Sequence, residues 1–164
     1  MKKLFLIGGT MGIGKSTVSQ FLKYKLPNSV FLDGDWCWDA HPFLVTEETK
    51  EMVMQNICLM LNNFLKCSAY ENVIFCWVMH EQAIINEIVS RLNTDNCHIV
   101  AVSLVCSEKE LIRRLQKDII AGIRTPDVIE RSIARIPLYQ QLDTIKIDTS
   151  GKIAEAIANE IAAL

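Results

Sequence analysis

Residues 9–17 read Gly9-Thr10-Met11-Gly12-Ile13-Gly14-Lys15-Ser16-Thr17, a complete G-x-x-x-x-G-K-[ST] phosphate-binding pattern. No other stretch restricts the fold as strongly. A loop of this kind works only between a strand that enters it and a helix that leaves it. Glycines let consecutive backbone N–H groups point at one anion, and the helix dipole adds positive potential there. The flanks fit. Lys3-Leu4-Phe5-Leu6-Ile7 is an apolar run suited to a buried parallel strand, and Val18, Phe21, Leu22 and Leu26 follow helical spacing. Lys15 is placed to reach the β- and γ-phosphates, and the Ser16 hydroxyl to ligate Mg²⁺. The dinucleotide fingerprint G-x-G-x-x-G is absent.

A chain of 164 residues with half of them hydrophobic suits one domain with a real core. Its net charge of −2 gives no basic excess that would make nucleic acid an obligatory partner. No apolar run reaches membrane-spanning length. Met1-Lys2-Lys3 followed by Leu4–Ile7 has the outline of a signal peptide, but its apolar part is short and runs straight into the phosphate loop. It reads as the first strand of a cytoplasmic protein. The six cysteines form no C-x-x-C pair, and most lie in apolar runs. They are expected to be reduced and to act as small core hydrophobes.

Strands are expected near 3–8, 29–33, 72–78, 97–104 and 144–148, and helices near 15–25, 47–66, 80–92, 107–121, 127–135 and 151–163. Ser107-Glu108-Lys109-Glu110 reads as a capping box, and Thr125-Pro126 as the start of a helix that Pro137 ends. Such alternation predicts a parallel α/β sheet with helices on both faces and ligands at the carboxyl ends of its strands.

Those ends carry the candidate chemistry. After the second strand, Asp33 and Asp35 stand two apart around Gly34. One carboxylate can help hold Mg²⁺, and the other can accept a proton from a hydroxyl nucleophile. Trp36, Trp38, His41 and Phe43 follow, either as walls of a substrate pocket or as packing beneath the next helix. The third strand leads to His80-Glu81 rather than to a terminal Asp, which reads most simply as a helix start with an acid in its first turn. Segment 109–135 holds seven of the seventeen Lys and Arg residues, among them Arg114 and Arg124, with a break at Gly122. It reads as a cationic lid over the phosphates. The interleaved acids also allow solvated i,i+4 pairs, Glu110–Arg114 and Asp127–Arg131. The last strand ends at Asp148-Thr149-Ser150-Gly151, a place for contacts to the nucleotide base.

The loop at 9–17, Asp33-x-Asp35 and the arginine-bearing segment, in that order, resemble the small P-loop kinases: nucleoside monophosphate, shikimate and gluconate kinases and chloramphenicol phosphotransferase. The chain as a whole is similar to kinase-like ATPases of the AAA family. The resemblance implies a P-loop NTPase fold, a five-stranded parallel sheet in the order 2-3-1-4-5 with a small helical lid at about 109–135 of a single domain, 1–164. It implies ATP and Mg²⁺ as cofactors and a small molecule or nucleotide as acceptor. Lys15 and Ser16 would handle phosphate and metal, Asp33 would support the metal, and Asp35 would bind or deprotonate the acceptor. Arg124, with Arg114 as second candidate, would be the lid arginine. The chain departs from the family in lacking a terminal Asp on the third strand, the arginine signature of nucleotide kinases and a zinc-binding lid. An ATP-dependent kinase is therefore the leading expectation. A nucleotide-dependent switch and a nucleic-acid end kinase are the alternatives, and the GTP-specific [NT]-K-x-D motif is missing.

Overall fold

Strand β1 (Lys2–Gly8) alternates its side chains between two faces, and both are apolar. Phe5 and Ile7 pack on one side, Leu4 and Leu6 on the other. A strand buried on both faces needs neighbours on both edges and helices on both sides. The computed structural model, which describes residues 1–164, supplies them. β1 pairs in parallel with β3 (Asn72–Cys76) and β4 (Cys97–Val105). β2 (Ser29–Asp33) and β5 (Ile145–Asp148) form the edges, giving the order β2-β3-β1-β4-β5.

Helices α1 (Lys15–Lys25) and α6 (Ala154–Ala162) cover the Phe5 face through Val18, Leu22, Ile157 and Ile161. Helices α2 (Glu47–Lys66) and α3 (Gln82–Ser90) cover the Leu4 face through Ile57, Leu61, Ile85 and Ile88. Helices α4 (Glu108–Ile120) and α5 (Val128–Gln140) sit between β4 and β5 in the chain. No helix is long and apolar enough to cross a membrane.

Several local expectations are corrected. Pro137 does not end its helix: α5 continues to Gln140. Proline removes one backbone bond and crowds the preceding turn. The turn beyond it is held by tertiary contact, because Tyr139 is buried and its hydroxyl donates to Val78 O at 2.6 Å. Thr125 is not the cap of α5. Asp127 is, and the helix starts at Val128. The capping box of α4 is only half made. Ser107 Oγ accepts from Glu110 N at 3.3 Å, while the Glu110 carboxylate binds Arg113 and Arg114 instead of turning back. β3 stops at Cys76, α3 starts at Gln82, and Glu81 is its cap rather than an acid in its first turn. All six cysteines are free, but only Cys58, Cys76 and Cys106 are buried, and Cys67 is exposed.

Tyr139→Phe should destabilise the chain by about 0.5–1.5 kcal/mol, because it removes the Tyr139–Val78 hydrogen bond while Val78 O keeps the Gly9 amide. Urea unfolding checks this, and an unchanged midpoint would mean that the Tyr139–Val78 bond does not hold the last turn of α5.

Candidate functional site

The phosphate loop leaves β1 at Gly8 and closes at Lys15, the first residue of α1. Gly12 has φ +79, and a Cβ there would lie 2.4 Å from Leu115 Cδ2, so α4 packs against bare backbone. Ile13 is buried in the core and anchors the loop from below. Thr10 is buried too, and its hydroxyl donates to Ser132 O of α5 at 3.1 Å. Lys15 Nζ folds back to Thr10 O at 3.1 Å. Burial pushes its ammonium below the usual lysine range, against the pull of Asp35 and Asp33, and the positive charge of Arg124 pushes the same way. Lys15 thus lies within electrostatic reach of both acids and of Arg124.

The two aspartates differ in kind. Asp33 is 6% exposed and already committed: Oδ2 accepts from Ser16 Oγ, and Oδ1 accepts from Asp35 N at 3.0 Å. This second bond caps a short 3-10 turn over Gly34–Cys37. The turn can form only at glycine, since a Cβ on Gly34 would meet Trp77 Cγ at 2.5 Å. The turn carries Asp35 out of the core, and its side chain is exposed with no hydrogen-bonded partner. Behind both acids, Cys76 Sγ lies 3.9 Å from Ser16 Oγ, and burial raises its thiol to about 12. It is a neutral wall where the sequence lacks an acid.

The aromatic residues after Asp35 differ in burial. Trp36 is 61% exposed and meets Phe31 edge-on, with ring centroids 5.2 Å apart. Trp38 packs against the α2 core and under exposed Phe43, with centroids 4.2 Å apart. His41 is exposed. His80 lies in the loop after β3 with Nε2 3.2 Å from Glu81 Oε1, and its buried Nδ1 has no partner. Burial first, and then the Arg135 charge, lowers its pKa.

The arginines also separate. Arg124 Nε pairs with Asp118 at 3.1 Å near the free end of α4. Arg114 points inward. Nη1 donates to Ile13 O at 3.1 Å and Thr149 Oγ1 at 3.0 Å, Nη2 to Thr149 O at 2.9 Å, and Nε to Glu110 at 2.9 Å. The Glu110–Arg114 and Asp127–Arg131 pairs both form, at 2.9 Å each. Asp148 is exposed and accepts from Ser150 N at 2.8 Å. Two hollows open on the surface. One of about 320 Å³ is bounded by Ser16, Thr17, Gln20, Phe21 and Tyr24. The other, of about 740 Å³, lies between α4 and Ser150. Ser132 and Cys76 were invisible as site residues in the sequence, and Thr149 was marked only as part of the segment after the last strand. Ser132 acts through its carbonyl, Thr149 through its hydroxyl and carbonyl and Cys76 as an apolar wall, and none belongs to a motif.

The AAA domain family matches residues 6–128, from within β1 to the start of α5. The chain belongs to that family. No curated relative matches it. Among solved structures this AAA-domain chain is similar to a tunicamycin resistance protein from Deinococcus radiodurans, with a TM-score of 0.74 at 20% identity over 99% of this chain and 95% of that one. It is also similar to a gluconokinase from Sinorhizobium meliloti, TM-score 0.70, 17% identity, 98% and 90% covered. A shikimate kinase from Acinetobacter baumannii in complex with shikimate gives 0.64 at 20% identity, again with 98% and 90% covered. The fold is that of the small P-loop kinases.

Lys15→Met removes a charge that the fold desolvates. Thermal unfolding should shift upward or not at all, while MgATP binding by calorimetry should disappear. A large fall in Tm would make Lys15 a structural residue instead.

Proposed function

We propose that this chain is an ATP-dependent phosphotransferase that moves the γ-phosphoryl group to a hydroxyl or phosphate of a small metabolite or nucleotide. The observation that carries this reading is the contrast between a buried, committed Asp33 and an exposed, uncommitted Asp35 beside the same lysine. A loop built only to bind or hydrolyse nucleotide has no use for a free carboxylate held out beside the phosphates. An enzyme with an acceptor hydroxyl does.

In this reading the amides of residues 9–17 cradle the phosphate chain and Lys15 neutralises charge on it. Ser16 and Asp33 offer hard oxygen donors that fit Mg²⁺, which when bound neutralises phosphate charge and orients the γ-group. Asp35 accepts the proton of the acceptor hydroxyl as its oxygen bonds to phosphorus and the bond to the ADP oxygen breaks. The chain acts as one domain, 1–164, in which the stretch of segment 109–135 around Arg124 closes over the phosphates. Arg124 lies in the connection between α4 and α5, beyond the end of α4 at Ile120 and away from the Arg114 anchor. On closure it would exchange Asp118 for transferring charge.

The deciding experiment is a metabolite panel with ATP and Mg²⁺, read as ADP release above the background without acceptor. Release at a high rate with no acceptor, and no stimulation by any, would instead fit a regulatory ATPase. Asp35→Asn should cut kcat by about 10²–10⁴-fold with ATP affinity nearly unchanged. A strong loss of ATP binding with turnover spared at saturation would move Asp35 to the metal. Arg124→Ala should lower kcat more than it weakens ADP binding. If kcat does not change, Arg124 has no part in closure.

A further inference from the structure

The strand order divides the ligand site. In the nucleotide-binding reading the phosphates sit over the end of β1, while Asp33 and Asp35 stand at the end of β2, across β3. The acceptor therefore lies on the β2–β3 side, and the nucleoside on the β4–β5 side. There the loop Asp148–Gly151 leaves β5. These two halves come from opposite sides of β4 and share no backbone ladder. A nucleotide with one fixed length between base and γ-phosphate needs them held at one spacing.

We propose that Arg114 is the positioning residue that sets this spacing: it ties the base-side loop to the phosphate loop and contacts no phosphate itself. The inference rests on the nucleotide-binding reading above. Every donor nitrogen of Arg114 is engaged within the protein. Nη1 bridges Ile13 O, at 3.1 Å, and Thr149 Oγ1, at 3.0 Å. Nη2 takes Thr149 O at 2.9 Å. Nε is held by Glu110 at 2.9 Å, and Arg113 braces the same carboxylate. The strong pairing with both arginines drives the Glu110 carboxyl down to about 2, so the brace stays charged at neutral pH.

Thr149 is fully buried and is itself fixed, its N–H donating to Val105 O at 2.8 Å. Ser150 Oγ accepts from Ser107 N at 3.3 Å, which joins the same loop to the start of α4. The first half of α4 therefore forms one rigid body with both loops. A lid arginine must be free to swing onto the phosphates. Arg114 would have to break three bonds to the loops to do so, whereas Arg124 would break one ion pair. Lysine cannot replace Arg114, because a point-charge ammonium does not span the carbonyl of one loop and both oxygens of Thr149 on the other.

The test compares two ligands on the full chain by calorimetry: MgATP, which spans both halves, and magnesium tripolyphosphate, which touches only the phosphate loop. Arg114→Met and Arg114→Lys should each weaken ATP by about tenfold or more and leave tripolyphosphate within about twofold. With any acceptor that the wild type turns over, KM for ATP should rise while kcat at saturation holds. Thr149→Val keeps the shape, removes one acceptor and should shift ATP alone in the same direction by less, which preserves the test if the Arg114 variants fail to fold. Equal weakening of both ligands would make Arg114 a phosphate contact and overturn the proposal, as would no weakening of either. A wild-type chain that binds neither ligand would instead sink the nucleotide-binding reading on which the inference rests.

Discussion

A loop can turn its amides toward an anion only if its carbonyls are satisfied elsewhere, and the rest of this structure follows from meeting that demand. Thr10 O takes the Lys15 ammonium and Ile13 N, and Ile13 O takes Arg114. The Thr10 hydroxyl reaches into α5, and the Ile13 side chain is sunk in the core. Apart from the Ile13 amide, which belongs to the loop itself, each contact comes from a different element. The loop is therefore braced by contacts from α4 and α5 and by its own buried side chain, each holding a different point of its backbone.

The same logic explains the acids. Asp33 is buried at the carboxyl end of an edge strand, where an unpaired carboxylate would be costly. Ser16 and the Asp35 amide satisfy it, and the second of these bonds forms the turn that lifts Asp35 into solvent. Gly34 is required because Trp77 occupies the space of its Cβ. Four neighbouring residues, Asp33, Gly34, Asp35 and Trp77, thus convert one strand end into a committed carboxylate and a free one. Chemistry that needs an uncommitted carboxylate beside a phosphate then has a place to happen.

The helices between β4 and β5 carry two kinds of basic residue. Arg114 is bound on all sides and belongs to the frame. Arg124, near exposed Ile120 and Ile123, keeps a single part-buried ion pair, so it has fewer bonds to break than Arg114. That difference locates the point where motion can begin, after the second turn of α4.

The amino-acid sequence by itself determined the phosphate loop, the alternation of strands and helices, and the parallel sheet, because these rest on local glycine geometry and on apolar periodicity. The sheet order came from the family resemblance. It also marked Asp33, Asp35 and the basic segment as residues of interest. Only the tertiary structure decided which aspartate is buried, because that depends on Ser16, seventeen residues away. It alone separated Arg114 from Arg124, since the partners of Arg114 are backbone and hydroxyl oxygens 101 and 35 residues distant. It carried α5 past Pro137, where the buried Tyr139 outweighs a local helix breaker. Local signals report the conformations a segment can adopt, whereas burial and long-range hydrogen bonds choose among them, and those exist only once the chain has closed on itself.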